Sequence, residues 1–128
     1  MKLAPRALPE LLAGRRIASV TGTNGKTTTT HFLTAAVRAG TPDSQRSVVT
    51  NADGANLYHG IVSALGQAPN ATIAVLETDE RVVADVVAMG SPEVLVLLNF
   101  SRDQLDRNHE LTFLGRDWRA ALEKAAEH

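Results

Sequence analysis

The sequence predicts an α/β fold, a P-loop-type three-layer sandwich with a mainly parallel sheet of about four strands and helices on both faces. Three observations carry this. Short apolar runs of strand length alternate with longer segments whose apolar residues recur at helical spacing. The runs at 17–20, 73–76 and 94–98 are largely apolar at consecutive positions, as expected of strands covered on both faces. Gly or Pro marks most junctions, at Gly14, Gly40, Pro42, Gly66 and Gly90. Such alternation implies parallel pairing with right-handed crossovers.

Taken in order, residues 9–13 read as a short opening helix stopped by Gly14, and residues 17–20 as the first strand. From Lys26 to Ala39, Phe32, Leu33, Ala36 and Val37 recur at helical spacing, and Gly40 ends the segment. Residues 41–46 are polar with Pro42 and read as a loop; residues 47–50 form the second strand. Residues 55–65 repeat through Leu57, Ile61 and Leu65, and Gly66 closes that helix. The third strand is 73–76. The next helix, 80–89, shows Val82, Val83, Val86 and Val87 on one face despite their β-branching. Gly90-Ser91-Pro92 breaks it. Residues 94–98 are the most apolar run and are expected at the sheet's centre. The last helix, 112–126, should turn Phe113, Leu114, Trp118, Ala121, Leu122 and Ala125 inward.

A length of 128 residues suits one domain, with 1–16 as its leading segment. The formal net charge of −1 offers no broad basic face for nucleic acid. At 4% aromatic residues, stacking platforms for single strands are not expected either. With no Cys, disulfides and thiolate metal sites are excluded, which fits a reducing compartment. The start lacks a signal-peptide apolar run, and no stretch approaches the roughly 20 apolar residues of a membrane span. A cytoplasmic location is expected.

The segment Thr21-Gly22-Thr23-Asn24-Gly25-Lys26-Thr27-Thr28 joins a strand to a helix and reads as a phosphate cradle. Glycines let backbone approach a phosphate closely, and successive N–H groups at a helix start attract anions. Thr23, Asn24, Gly25, Lys26, Thr27, Thr28 and, more distantly in sequence, Asn99 are the candidate nucleotide contacts. Lys26 would bring a mobile positive charge to the β- and γ-phosphates, facing solvent when no ligand is bound, and the Thr27 hydroxyl could ligate Mg2+. The usual motif would put its first Gly at position 20, which is Val20; the nearest is Gly22. The competing reading is a strand–turn–helix connection with a chance Lys. Glu77 closes the third strand at the sheet edge where α/β folds bind ligands, and as a second hard oxygen ligand suits Mg2+ alongside Thr27. Its alternative is a solvated loop carboxylate. Asn99 holds the same edge position, with a turn-forming role as its alternative. Asp79 and Glu80 are weaker candidates, Glu80 as a group favouring a helix N-terminus. Asp103 and Asp106 could cap the last helix and Arg107 pair with one of them. His31, His59, His109 and His128 show no metal-ligand spacing.

This loop resembles the ATP-binding loop of the Mur ligases, which carries the same shortened glycine spacing. Two further segments agree: Leu76-Glu77-Thr78-Asp79-Glu80, and Asn99 followed by Asp103-Gln104-Leu105-Asp106-Arg107. The resemblance runs from about 17 to 126 and corresponds to the first part of that family's central domain, so 1–128 is expected to be a partial domain. It implies catalytic roles for Lys26 and Glu77, and ATP and Mg2+ as cofactors. The reaction implied joins an amine to a carboxylate through an acyl phosphate. Gln104 stands where the family commonly has a His that helps hold a second metal. The carbamylated Lys of many members has no match where Leu122 follows the Trp118-Arg119-Ala120-Ala121 run, and Lys124 is two positions off. Both departures, with the Glu77–Glu80 and 51–56 segments, resemble the MurT-like branch, the ligase subunits of lipid II isoglutaminyl synthase. That branch implies amidation of the stem-peptide glutamate of a lipid-linked peptidoglycan precursor, with ammonia from a glutaminase subunit. It also implies a cysteine ribbon and a further domain beyond these residues. Alternatives are a Mur ligase that adds an amino acid, a folylpolyglutamate synthase-like ligase, and a nucleotide-binding module without chemistry.

Overall fold

The computed structural model describes residues 7–99 and 108–126. In chain order the elements are α1 (Ala7–Leu12), β1 (Arg16–Thr21), α2 (Lys26–Ala39), α3 (Ser44–Ser47), β2 (Val48–Thr50), α4 (Tyr58–Gln67), β3 (Ile73–Glu77), α5 (Val83–Gly90), β4 (Val94–Leu97) and α6 (Asn108–Ala126). The four strands form one parallel sheet in the order β2-β3-β1-β4. In register, Ile17 faces Ala74, Val20 faces Glu77, and Thr21 faces Leu97. The α/β sandwich expected from the alternation is therefore present.

Side chains alternate across the sheet. Ile17, Val49, Ala74 and Leu76 point to one face and form a single core with Leu8 and Leu12 of α1, Ile61, Val62 and Leu65 of α4, and Val82 and Val86. Val20 and Val75 point to the other face, where α2 packs on β1, β2 and β3. Here the expected inward stripe is displaced. Thr30 and Thr34 are the buried residues of α2, while Phe32 is 73% exposed and Ala36 is exposed. Small threonines let the helix approach the sheet closely, and the Thr30 hydroxyl bonds back to the Lys26 carbonyl at 2.8 Å.

Other differences have local causes. Residues 44–46, expected as loop, and Ser47, expected to open the second strand, make one helical turn, with Ser47 N–H bonded to the Asp43 carbonyl at 3.1 Å. Gly66 lies inside α4, and Leu57 precedes it, 46% exposed. The helix expected from 80 starts at Val83, because residues 79–82 make a turn in which Asp79 C=O accepts from Val82 and Val83. Among the described residues β4 is an edge strand beside β1, with Val94 and Leu97 about half exposed, and not the sheet's centre. On α6, Trp118 and Ala121 pack against Val83, Val87 and Leu95, whereas Phe113 and Leu122 are exposed. The side chains of Leu114 and Ala125 lie outside the described residues.

Candidate functional site

The loop between β1 and α2 is shaped by two glycines. Gly22 has φ +140° and lies so near the end of β4 that a Cβ would sit 2.7 Å from Leu98 Cβ and 3.2 Å from the Asn99 carbonyl oxygen. Gly25 has φ +84° and stands immediately before α2. Both values lie where glycine is favoured. Gly25 has no side chain to cap the helix, so the first-turn amides of Lys26, Thr27 and Thr28 have no intrahelical acceptor. Asn24, Gly25, Thr27 and Thr28 are solvent-exposed, and an anion can reach those amides directly. Asn99 fixes the loop from β4: its carbonyl accepts from Thr23 N–H at 2.8 Å, and its Oδ1 accepts from Asn24 N–H at 3.3 Å. The structure thus places Asn99 against the loop.

Lys26 does not face solvent. Its side chain is 13% exposed, and Nζ donates to the Gly22 carbonyl at 2.5 Å and to the Thr23 carbonyl at 3.4 Å, with Glu80 Oε2 at 3.8 Å. The loop folds its own charge back onto its carbonyls. Asp79, next to Glu80, binds Arg81 through its backbone N–H at 3.0 Å and its guanidinium at 2.8 Å. Burial pushes the Asp79 carboxyl up, but the Arg81 hydrogen bonds and the charges of Arg81 and Lys26 outweigh that and hold it below the ordinary carboxylate range.

Glu77 is a buried carboxylate, 2% exposed, at the C-terminal end of β3. Its backbone is clamped by Asn51, the residue that follows β2. Asn51 Oδ1 accepts from Glu77 N–H and Asn51 Nδ2 donates to Glu77 C=O, both at 2.8 Å, and the same amide donates to Ala55 C=O at 2.9 Å. Asn56 Nδ2 donates to Glu77 Oε1 at 3.1 Å, and Oε2 is buried with no hydrogen-bond partner among the described residues. A buried carboxylate oxygen without a donor fits a cation as its missing partner. No group of three or more His, Asp and Glu side chains converges among the described residues. Mg2+ takes few protein ligands and completes its shell with water and phosphate. A hydroxyl at the start of α2 and a carboxylate on the neighbouring strand are a donor set of that kind.

Sequence reasoning singled out the loop, Glu77 and Asn99, and the fold brings them to one end of the sheet. It gave Asn51 and Asn56 no individual role and ranked Glu80 low. The available signal was an Asn directly after an apolar strand, facing a Glu at the end of the adjacent one. Gln104, Asp103, Asp106 and Arg107 lie outside the described residues. No helix among the described residues is long and apolar enough to cross a membrane.

Residues 20–113 match the family model of the Mur ligase middle domain. The chain is 36% identical over 100 residues to the lipid II isoglutaminyl synthase (glutamine-hydrolyzing) subunit MurT of Staphylococcus aureus (strain COL), covering 77% of this chain and 22% of that protein. It is 35% identical over 108 residues to the subunit of the same name from Streptococcus pneumoniae (strain ATCC BAA-255 / R6), covering 81% and 23%. It is 37% identical over 110 residues to the UDP-N-acetylmuramate–L-alanine ligase of Nocardioides sp. (strain ATCC BAA-499 / JS614), covering 84% and 22%. The chain thus spans less than a quarter of the length of these relatives.

Proposed function

We propose that this chain, which belongs to the Mur ligase family through its middle domain, is the ATP-binding part of an ATP-dependent amide-forming ligase of peptidoglycan synthesis. Its reaction is amidation of the stem-peptide glutamate of lipid II through an acyl phosphate. The observation that carries the nucleotide reading is the open cradle of uncapped amides at 26–28, beside a buried Glu77 with one unpartnered oxygen. In this reading Thr23, Asn24, Gly25 and Thr28 hold the phosphates, Asn99 keeps the loop seated, and Lys26 follows the charge of the transferred phosphoryl group. Thr27 and Glu77 hold Mg2+, which when bound neutralises phosphate charge.

The amidation reading is supported by the two relatives named as MurT subunits and by Asp103-Gln104-Leu105-Asp106-Arg107. It gives the protein a glutaminase subunit as ammonia source, a lipid-linked peptidoglycan precursor as acceptor, and a cytoplasmic site of action. The second reading, amino-acid addition, is favoured by the 37% identity to the alanine-adding ligase. Residues 1–128 alone are expected to bind nucleotide and to form no amide, since positioning both reactants supplies on the order of 7–11 kcal/mol in the best cases.

Chimeras separate the readings. Residues 20–113 would replace the matching segment of the S. aureus subunit or of the Nocardioides ligase. The first chimera, given ATP, Mg2+, ammonia and lipid II, is expected to yield amidated lipid II by mass spectrometry. Activity only in the second, with UDP-N-acetylmuramate and L-alanine, would favour amino-acid addition.

A further inference from the structure

Glu80 is a carboxylate beside the phosphate loop to which the proposed function gives no part. It sits in the turn between β3 and α5, and Trp118 Nε1 of α6 donates to its backbone carbonyl at 3.0 Å, which fixes the turn. Its carboxylate approaches the loop, with Oε2 3.8 Å from Lys26 Nζ and side chains 21% and 13% exposed. That oxygen is buried and accepts no hydrogen bond among the described residues. Asp79 is engaged by Arg81 through both carboxylate oxygens, at 2.8 and 3.2 Å. The loop lysine therefore rests on Glu80 and two backbone carbonyls.

A phosphate entering the cradle competes with Glu80 for the same ammonium group. Once Lys26 turns to the phosphate, Glu80 Oε2 is left buried, without a hydrogen bond among the described residues, and close to an arriving anion. Each of these is unfavourable for a carboxylate. A cation that arrives with the nucleotide gives that oxygen a partner and offsets the anion's charge.

We propose that Glu80 is the resting counter-ion of Lys26, and that nucleotide binding exchanges this pair for a Lys26–phosphate contact together with a divalent cation facing Glu80. Glu80 thereby makes nucleotide affinity depend on the divalent ion. The inference rests on the reading of the loop as an ATP site.

The test is calorimetric titration of the chain with ATP, once in EDTA and once in Mg2+, for wild type, Glu80→Gln, Glu80→Asp and Lys26→Ala, with a melting curve for each. Glu80→Gln is expected to bind ATP about tenfold more tightly than wild type in EDTA and no more tightly in Mg2+. The ratio of the two dissociation constants then shrinks about tenfold. Glu80→Asp keeps the charge on a shorter arm and should fall between, which preserves the test if the Gln variant does not fold. A purely structural role would lower the melting temperature and leave the ratio unchanged, and that result overturns the inference. Wild type that binds ATP, Lys26→Ala that does not, and Glu80 variants with the wild-type ratio would sink the inference alone. Wild type that fails to bind ATP in either condition would remove the ATP reading and this inference together.

Discussion

Gly22→Ala places a methyl group where the loop meets β4. The new Cβ would lie 2.7 Å from Leu98 Cβ and 3.2 Å from both Leu98 C and Asn99 O, so backbone has to shift. A φ of +140° adds a conformational cost of roughly 1–2 kcal/mol for a residue with a Cβ. Relieving the overlap costs roughly 1–2 kcal/mol more, because two of the three nearest atoms are main chain. The sum, about 2–4 kcal/mol, corresponds to a fall in melting temperature of about 10 °C for a domain of this size. The loop can relax only by leaving the Asn99 carbonyl, which breaks the 2.8 Å bond from Thr23 N–H and disturbs the cradle. Calorimetric melting and ATP titration of the same variant should therefore report both losses. Gly66→Ala is the control: it lies in α4 with nothing within 4 Å of the added Cβ. It should gain about 0.5–1 kcal/mol. A Gly22→Ala protein that melts with wild type and binds ATP equally well would refute the argument that this glycine seats the loop.

Two further outcomes follow from the clamp around β3. Asn51→Ala leaves Glu77 N–H and C=O and the Ala55 carbonyl without their amide partner, and urea unfolding should show a loss of about 2–4 kcal/mol. Asp79 has a folded-state carboxyl held below its ordinary value near 3.9, so its contribution to stability is present above that value and is lost as pH falls through the lowered one. Melting curves from pH 7 downward should show Asp79→Asn less stable than wild type at neutral pH and less sensitive to acid below about pH 4.

The strand–helix alternation was legible because parallel strands and amphipathic helices differ in period, and every predicted strand is found in the sheet. Periodicity could not say which residues of α2 face inward. Phe32 and Leu33 are apolar, yet close packing on the sheet selected Thr30 and Thr34. Nor could hydropathy place β4, since an apolar run has the same appearance at an edge and at a centre. The site was legible where chemistry follows chain order, from Gly22 to Thr28. It was hidden where it depends on strand pairing: Asn51 meets Glu77, and Glu80 meets Lys26, across neighbouring strands far apart in sequence. The expectation of a solvent-facing Lys26 failed because a flexible ammonium next to the Gly22 and Thr23 carbonyls folds onto them.

The central claim is that residues 21–28 bind ATP through Lys26. Calorimetric titration of wild type and Lys26→Ala with ATP in Mg2+ tests it most directly. Among the described residues Lys26 Nζ contacts only loop carbonyls and the Glu80 carboxylate, so the variant should fold and melt close to wild type. The account predicts saturable binding by wild type and loss of most of that affinity in the variant. A folded Lys26→Ala protein that binds ATP as tightly as wild type would contradict it.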